Sequence, residues 1–166
     1  MDIRRIRADE GLRLRDIRLH ALADSPMAYG STLAREKAYP EALWHERAEN
    51  GAVGENSATF VAEHDGCLVA MAAGLAPDSD HDDASPTMVG VFVAGTARRQ
   101  GVGGQLAEKV IDWARARGWA RLLVWITSGN AAALSLYRRC GFRATGALRP
   151  SAHTPDLMEC ELALDL

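Results

Sequence analysis

The sequence predicts an α/β fold in which helices cover both faces of a mixed β-sheet. Short apolar runs typical of strands alternate with helical segments in the order β-α-α-β-β-β-α-β-α-β-β. A strand meander followed by β-α-β-α-β indicates a sheet with both antiparallel and parallel strand pairs. The 166 residues, of which 48% are hydrophobic and 25% charged, are enough for one domain with a packed core. Residues 1–166 are therefore interpreted as a single domain.

The N-terminal third is predicted to contain one strand and two helical regions. Residues 2–7 form the strand, and a helix follows from residue 8 or 9 until Ser25-Pro26 ends it. The apolar residues that recur on this helix at roughly helical spacing are Leu12, Ile17, Leu19 and Leu22. The second helical region runs from about residue 32 to residue 50 and is interrupted near Pro40.

Three strands are predicted in the middle of the chain. Residues 57–63 and 67–75 form a hairpin, because Asp65-Gly66 between them is a typical turn pair. A polar loop at residues 76–85 leads to an apolar run at residues 87–93, which is long enough for a central strand.

The C-terminal half alternates helices and strands. Its clearest helix runs from residue 101 to about residue 117 and is followed by a buried strand at residues 121–127. The residues that form the apolar face of that helix are Val102, Leu106, Val110 and Trp113. A further helix at residues 130–140 ends at Gly141, and the last two strands are predicted at residues 142–148 and 157–164.

Composition excludes several classes of protein. A net charge of −3 argues against a nucleic-acid-binding domain held by phosphate contacts. No apolar run approaches the ~18–20 residues that span a bilayer, and the charged N-terminus is unlike a secretory signal. Three cysteines without a C-x-x-C pair give no disulfide framework, and reduced thiols fit a cytoplasmic protein. The histidines and cysteines lack metal-ligand spacing, so no metal site is expected.

Charge is distributed unevenly along the chain. Residues 51–90 contain acidic side chains but no lysine or arginine, whereas basic residues outnumber acidic ones in residues 91–166. This asymmetry predicts an anionic ligand beside the basic half and a cationic one beside the acidic segment. The alternative is that the charges mix again in three dimensions.

A glycine-rich turn lies between the strand at residues 87–93 and the clearest helix. Its sequence is Arg98-Arg99-Gln100-Gly101-Val102-Gly103-Gly104. The glycines allow a ligand to approach the backbone closely, and the first N–H groups of the helix attract an anion such as phosphate. A Rossmann dinucleotide site would need a third glycine and a P-loop would need a lysine, and both are absent. Glycines that serve packing alone remain an alternative.

Two motifs resemble the GCN5-related N-acetyltransferase (GNAT) superfamily. The turn contains R-x-x-G-x-G, as Arg98, Gly101 and Gly103, and residues 130–142 match N-x-x-A-x-x-x-Y-x-x-x-G-F. Superfamily members often carry proline where Gly95 stands and glycine where Arg99 stands. The resemblance implies a mostly antiparallel sheet of six to seven strands with a V-shaped opening between the two central strands.

The resemblance implies an acetyltransferase that moves an acetyl group from acetyl-CoA to a primary amine by direct attack. Acetyl-CoA would lie in the V-shaped opening, where Tyr137 would protonate the departing thiolate as the general acid. A tyrosine hydroxyl has an ordinary pKa of about 10 and is protonated at neutral pH. The expected acetyl-CoA contacts are Val91, Phe92, Val93, Arg98, Arg99, Gln100, Gly101, Val102, Gly103, Gly104, Asn130 and Tyr137.

The acceptor and the general base are less defined. The segment at residues 25–36 occupies the region that shapes the acceptor site in this superfamily, so Tyr29, Glu36 and Trp44 are predicted acceptor contacts. The conceivable bases, none singled out by its context, are Glu36, Glu46, Glu63, Asp78, His81 and Asp83. The acceptor is a small molecule or a peptide, and a cationic amine is expected if the acidic loop borders its site.

Two further points stay open at the level of sequence. Since no base can be assigned, the alternative function is a non-catalytic acyl-CoA-binding or sensing module on the same fold. Association into a homodimer is common in the superfamily and is not visible in the sequence.

Overall fold

The structure, a computed structural model, describes residues 1–77 and 85–166. Over these residues the chain forms seven strands, five α-helices and a short 3₁₀ helix at Gly95–Ala97. In chain order the elements are β1 (Asp2–Arg5), α1 (Gly11–Asp24), α2 (Leu33–Lys37), α3 (Glu41–Val53), β2 (Ser57–His64), β3 (Cys67–Leu75), β4 (Thr87–Val93), α4 (Val102–Ala116), β5 (Arg121–Thr127), α5 (Ala131–Arg139), β6 (Arg143–Pro150) and β7 (Met158–Asp165). No helix among them is long and apolar enough to cross a membrane.

All seven strands belong to one sheet with the order β1-β2-β3-β4-β5-β7-β6. Neighbouring strands are antiparallel except β4 and β5, which are parallel. The predicted mixed, mostly antiparallel sheet is therefore confirmed. This pair lies in the middle of the sheet. Its strands are parallel because the connection through α4 carries the chain from the end of β4 back to the other end of the sheet, where β5 starts.

Helices cover both faces of the sheet, as predicted. On one face Leu106 and Val110 of α4 are fully buried with residues of the central strands and α5. Gly74 of β3 allows close packing there, since a Cβ at that position would stand 2.4 Å from the Trp113 ring. On the other face α1 and α3 contribute Ile17 and Trp44 to a second buried cluster.

The end of β1 and the start of α1 differ from the prediction. β1 ends at Arg5 rather than at residue 7, and α1 begins at Gly11. The chain turns here because the Glu10 N–H donates to the Arg7 carbonyl, while the Glu10 carboxylate accepts from the Arg7 N–H. The predicted place of Leu12 on the apolar face of α1 is wrong, since Leu12 is exposed and Leu14 is buried instead.

The C-terminal strands begin one residue later than predicted. Phe142 closes α5 by donating its N–H to the Tyr137 carbonyl at 3.0 Å, and its side chain is buried, so β6 starts at Arg143. β7 similarly starts at Met158. These shifts leave the predicted order of elements unchanged.

Candidate active site

The two parallel strands separate after a short contact. β4 and β5 pair only at Thr87–Leu123 and Met88–Val124, so their C-terminal halves diverge. A register shift between β3 and β4 occurs opposite this point, and Gly90 there has a φ of +64°. The extra residue is a β-bulge, which bends a strand away from its neighbour. The predicted V-shaped opening between the central strands is therefore present.

Main-chain groups of β4 face this opening. The Ala94 N–H donates to the Val69 carbonyl of β3 at 2.8 Å. Because main-chain groups point alternately to the two sides of a strand, Val93 faces the opening and Phe92 faces β3. The Val93 carbonyl accepts from Arg98 Nε at 2.9 Å, and the Val91 carbonyl accepts from the Tyr29 hydroxyl at 3.2 Å. The carbonyls of Val91 and Val93 thus already hold side-chain donors, and Phe92 contributes its side chain to the core.

The loop between α1 and α2 bridges the two diverging strands. Tyr29 binds β4 as described, and Thr127 at the end of β5 donates its hydroxyl to the Met27 carbonyl at 2.9 Å. This loop belongs to the segment that was expected to shape the acceptor site, and the structure places it at the mouth of the opening.

The glycine-rich turn leads directly into α4. Gly101 is the N-cap residue with a φ of +78°, a conformation that favours glycine. It offers no side-chain cap, so the first N–H groups of α4, including those of Val102, Gly103 and Gly104, have no partner within the helix. A Cβ at Gly104 would meet no described atom within 4 Å. This geometry agrees with the predicted anion site.

The basic and polar side chains of the turn have separate roles. Arg98 is exposed, and its guanidinium binds Asp24 Oδ2 at 2.5 Å in addition to Val93. Arg99 is also exposed and has a φ of +61°, a left-handed conformation that favours glycine. Gln100 donates its side-chain amide to the Thr96 carbonyl at 3.1 Å. Their contact with acetyl-CoA remains a prediction.

Helix α5 presents a buried tyrosine beside the opening. Asn130 is its N-cap residue, and its Oδ1 accepts from the Ala133 N–H at 3.0 Å. Tyr137 is 5% exposed, and its ring packs edge-on against Phe142 with centroids 5.6 Å apart. Burial, and then the nearby phenol of Tyr29, raises the pKa of Tyr137 well above the ordinary tyrosine value. The hydroxyl is therefore protonated at neutral pH.

A cavity of about 600 Å³ lies on the α1 and α3 side of the sheet. It reaches β4 from Thr87 to Gly90 and β5 at Trp125, and it is lined by all three predicted acceptor contacts, Tyr29, Glu36 and Trp44. Tyr29 is half-buried, whereas Trp44 and Glu36 are almost completely buried. The structure therefore brings the three residues into one cavity, next to the opening.

None of the described base candidates is a free carboxylate beside the opening. Burial favours the neutral form of Glu36, but the Arg18 guanidinium outweighs it and holds the pKa of Glu36 below its ordinary value. Glu63 is paired with Arg4 and Arg13 near β1, and Glu46 is exposed on α3. Asp78, His81 and Asp83 lie outside the described residues.

One residue that the sequence analysis missed is Gly90. Its positive φ creates the bulge that opens the sheet, and the available signal was an isolated glycine inside a strand pattern. Among residues 1–77 and 85–166, no group of three or more histidine, cysteine, aspartate or glutamate side chains is arranged to hold a metal ion.

A seven-stranded sheet that splays beside a glycine-rich helix start is the architecture of an acyl-CoA-binding transferase. Residues 19–142 match the acetyltransferase (GNAT) family, and this range contains the glycine-rich turn, Asn130 and Tyr137. The chain belongs to this family. The predicted family, fold and acyltransferase class are thereby confirmed.

Two known proteins illustrate the relationship. The chain is 32% identical over 143 residues to the [ribosomal protein bS18]-alanine N-acetyltransferase of Escherichia coli, covering 86% of this chain and 90% of that one. It is 41% identical over 58 residues to the L-methionine sulfoximine/L-methionine sulfone acetyltransferase of Pseudomonas aeruginosa, covering 35% of this chain. That match spans about a third (34%) of the length of the Pseudomonas protein.

The fold also matches a solved structure. A Salmonella typhimurium protein, solved with its cofactor acetyl-CoA, superposes with a TM-score of 0.79 and 22% identity, covering 100% of this chain and 94% of that one.

Proposed function

We propose that the protein transfers the acetyl group of acetyl-CoA to the α-amino group of a small molecule or peptide. The observation that carries this proposal is the buried Tyr137 of α5, which belongs to the same core cluster as Val91 and Val93 of the diverging strand β4. Tyr137 lies close enough to Tyr29 for the two phenols to interact electrostatically, and Tyr29 binds the Val91 carbonyl at the splayed edge of β4. This arrangement supports Tyr137 as the proton donor and the main-chain groups of β4 as the binding site of an extended ligand.

The described residues fit acetyl-CoA as the acetyl donor, which supplies an activated thioester. The uncapped N–H groups at the start of α4 suit its pyrophosphate, because they are oriented donors at the positive end of a helix dipole. The splayed edge of β4 suits its pantetheine arm, which would add to the sheet as a strand does, through the N–H groups of Val91 and Val93, whose carbonyls already accept from Tyr29 and Arg98. The Arg99 guanidinium and the side-chain NH₂ group of Asn130 donate to no described residue, whereas the Asn130 amide oxygen already accepts from the Ala133 N–H.

The proposed reaction needs few groups from the protein. The neutral amine forms the new N–C bond as the C–S bond breaks, and Tyr137 donates its proton to the departing sulfur. A main-chain N–H of the Val91–Val93 segment stabilises the negative charge on the carbonyl oxygen. The amine releases its extra proton to water, because the two carboxylates that line the cavity, Glu36 and Glu159, are already ion-paired, and the Tyr137 phenolate regains a proton from water.

The choice of an α-amino group rests on the relatives. The E. coli relative is named for an alanine of a ribosomal protein, and the Pseudomonas relative is named for two amino acid derivatives. At the N-terminus of a peptide an α-amino group has a pKa of about 7.7–8.0, below the roughly 10.4 of a lysine amine, so a larger fraction of it is neutral without a dedicated base. This reduces the need for the base that the described residues do not provide.

The test is release of free thiol from acetyl-CoA in the presence of single amines. The panel comprises free amino acids, an alanyl peptide and a polyamine, and calorimetry measures CoA binding in parallel. We expect amine-dependent thiol release with at least one α-amino compound. CoA binding without thiol release from any amine would instead support a binding or sensing module and would reject the proposal.

Three further assignments belong to the same proposal. Residues 1–166 form one domain, because all seven strands share one sheet. The cytoplasm is the compartment that fits three free cysteines. A homodimer, common in the superfamily, is testable by light scattering.

A further inference from the structure

Charged side chains line the cavity beside the opening, and its two carboxylates are already neutralised. Glu36 accepts hydrogen bonds from Arg18 at 2.8–3.2 Å and lies 3.6 Å from Arg47. Glu159 accepts from Arg149 at 2.7 Å, and that guanidinium also stacks on Trp125 at 4.1 Å. Among the described residues, the cavity therefore offers no unpaired carboxylate to an ammonium group.

Arginine, by contrast, is in excess around the cavity. Arg18 and Arg47 share the single carboxylate of Glu36, and Arg35 lines the cavity without an ion pair to any described residue. The described lining therefore carries more positive than negative charge. Such a surface favours a ligand that brings its own negative charge.

Arg18 directs one free hydrogen-bond donor toward β4, the strand that borders the opening. Its Nε and Nη2 bind Glu36, while Nη1 bonds to no described residue and lies 3.8 Å from the position of a Cβ on Gly90. The guanidinium is held in place from two sides, by Glu36 and by the Tyr29 ring at 4.9 Å. Its side chain is only 15% exposed, so water screens this charge weakly.

We infer that the acceptor is a free amino acid, whose carboxylate binds Arg18 while its α-amino group faces the thioester. This inference rests on the proposed acetyl transfer and names its substrate class. A charge-assisted bond from Nη1 to the carboxylate fixes the distance between the amine and the bulge of β4 at Gly90. The same cation opposes a second positive charge nearby, which lowers the pKa of the bound amine and increases its neutral, nucleophilic fraction.

A peptide N-terminus lacks the group that this site recognises. In a peptide the carbonyl next to the α-amino group is a neutral amide, so its bond with Arg18 is weaker than that of a carboxylate. A polyamine would add positive charge to a lining that already has an excess of it. The inference therefore separates free amino acids from both alternatives.

The experiment compares free amino acids with their carboxamides. Alanine, methionine sulfone, glutamate and phenylalanine are each paired with the corresponding amide, and kcat/KM is measured by thiol release at saturating acetyl-CoA. We expect kcat/KM for the best amino acid to exceed that for its amide by tenfold or more, because a hydrogen bond to a charged group is lost. Equal use of acid and amide, or preference for a polyamine or the alanyl peptide, would overturn the inference but not the acetyl transfer.

Variants test whether the preference for a free amino acid over its amide depends on Arg18. Arg18→Gln alone would leave the buried Glu36 with only its longer contact to Arg47. The informative variant is therefore Arg18→Gln combined with Glu36→Gln, which removes both charges and keeps a polar side chain at each position. We expect this double variant to lose the preference for acid over amide while it still acetylates the amide. Glu36→Gln alone keeps the cation and should keep the preference.

Arg15→Gln is the matched control, since Arg15 is on the same helix but pairs with Asp16 away from the cavity. It should leave the ratio of acid to amide unchanged. A merely structural role of Arg18 would lower kcat/KM for acid and amide equally, and that result would overturn the inference. Absence of thiol release from every amine with the wild-type protein would reject the proposed function itself.

Discussion

The Tyr137→Phe substitution removes one oxygen atom from the buried side of α5 and leaves the aromatic ring in place. The ring is 5% exposed and retains its edge-on contact with Phe142. The hydroxyl makes no hydrogen bond with the described residues, so its loss leaves no partner unsatisfied. We expect the free energy of unfolding to change by less than about 0.5 kcal/mol.

The expected effect on catalysis is much larger. Removal of a general acid lowers kcat by about 10²–10⁴-fold, which corresponds to roughly 3–5 kcal/mol of transition-state stabilisation. Because burial raises the pKa of Tyr137 above its ordinary value, ionisation of this residue does not limit the wild-type rate at alkaline pH. The rate should instead rise as the pH approaches the pKa of the acceptor's α-amino group, because the amine loses its proton there.

The assay is thiol release at saturating acetyl-CoA, with urea unfolding of the same preparations. Ser135→Ala is the control, because it removes a hydroxyl from the exposed side of the same helix. A kcat for Tyr137→Phe within threefold of wild type would refute the role of the hydroxyl as proton donor. A large loss of stability would show that the hydroxyl has a structural role instead.

Two further predictions concern the fold and the glycine-rich turn. Glu10 is 4% exposed and its pKa is lowered to about 2, chiefly by its hydrogen bonds with Arg4. Its contribution to stability is therefore present above the unfolded pKa and is lost as pH falls from about 5 toward 2. Glu10→Gln should lower the free energy of unfolding by about 2 kcal/mol at pH 7 and by much less near pH 2, as urea titrations would show; an equal loss at both pH values would contradict this. Gly101→Ala places a side chain at a φ of +78° and should cost about 1–2 kcal/mol and weaken CoA binding in calorimetry. Gly104→Ala lies in helical backbone with open space around it and should instead stabilise the protein by up to about 1 kcal/mol. Equal stability changes for the two variants would contradict the interpretation that only Gly101 is required by its backbone conformation.

The sequence predicts the central strands well for a physical reason. The bounds of β3, β4 and β5 coincide with the predicted ones, because each is an apolar run between strong turn signals. α1 is harder to predict, since leucines occur on more than one side of it. Leu12 is therefore exposed, while Leu14 and Ala21 form the buried face.

The sequence predicts only those parts of the site whose residues are close together in the chain. The glycine-rich turn and the helix with Tyr137 are continuous motifs, and the structure places both beside the opening. The bridge from Thr127 to Met27 and the bond from Arg98 to Asp24 connect residues far apart in sequence, so no local pattern shows them. The bulge at Gly90 likewise depends on the register between two strands.

The charge of the cavity depends on residues that no local pattern in the sequence connects. The acidic segment of the sequence led to the expectation of a cationic amine, and its most acidic part, residues 78–84, lies outside the described residues. The described cavity is lined instead by arginines from α1, α2 and α3, together with Arg149. These arginines come from separate parts of the chain, and only the fold brings them together.

The most direct test of acetyl transfer is mass spectrometry of the reaction products with the wild-type protein, acetyl-CoA and a single free amino acid that supports thiol release. We predict that one N-acetylated amino acid forms for each CoA released, and that both products disappear when the amine is omitted. CoA release without an acetylated amine, at a rate independent of the amino acid, would contradict the account.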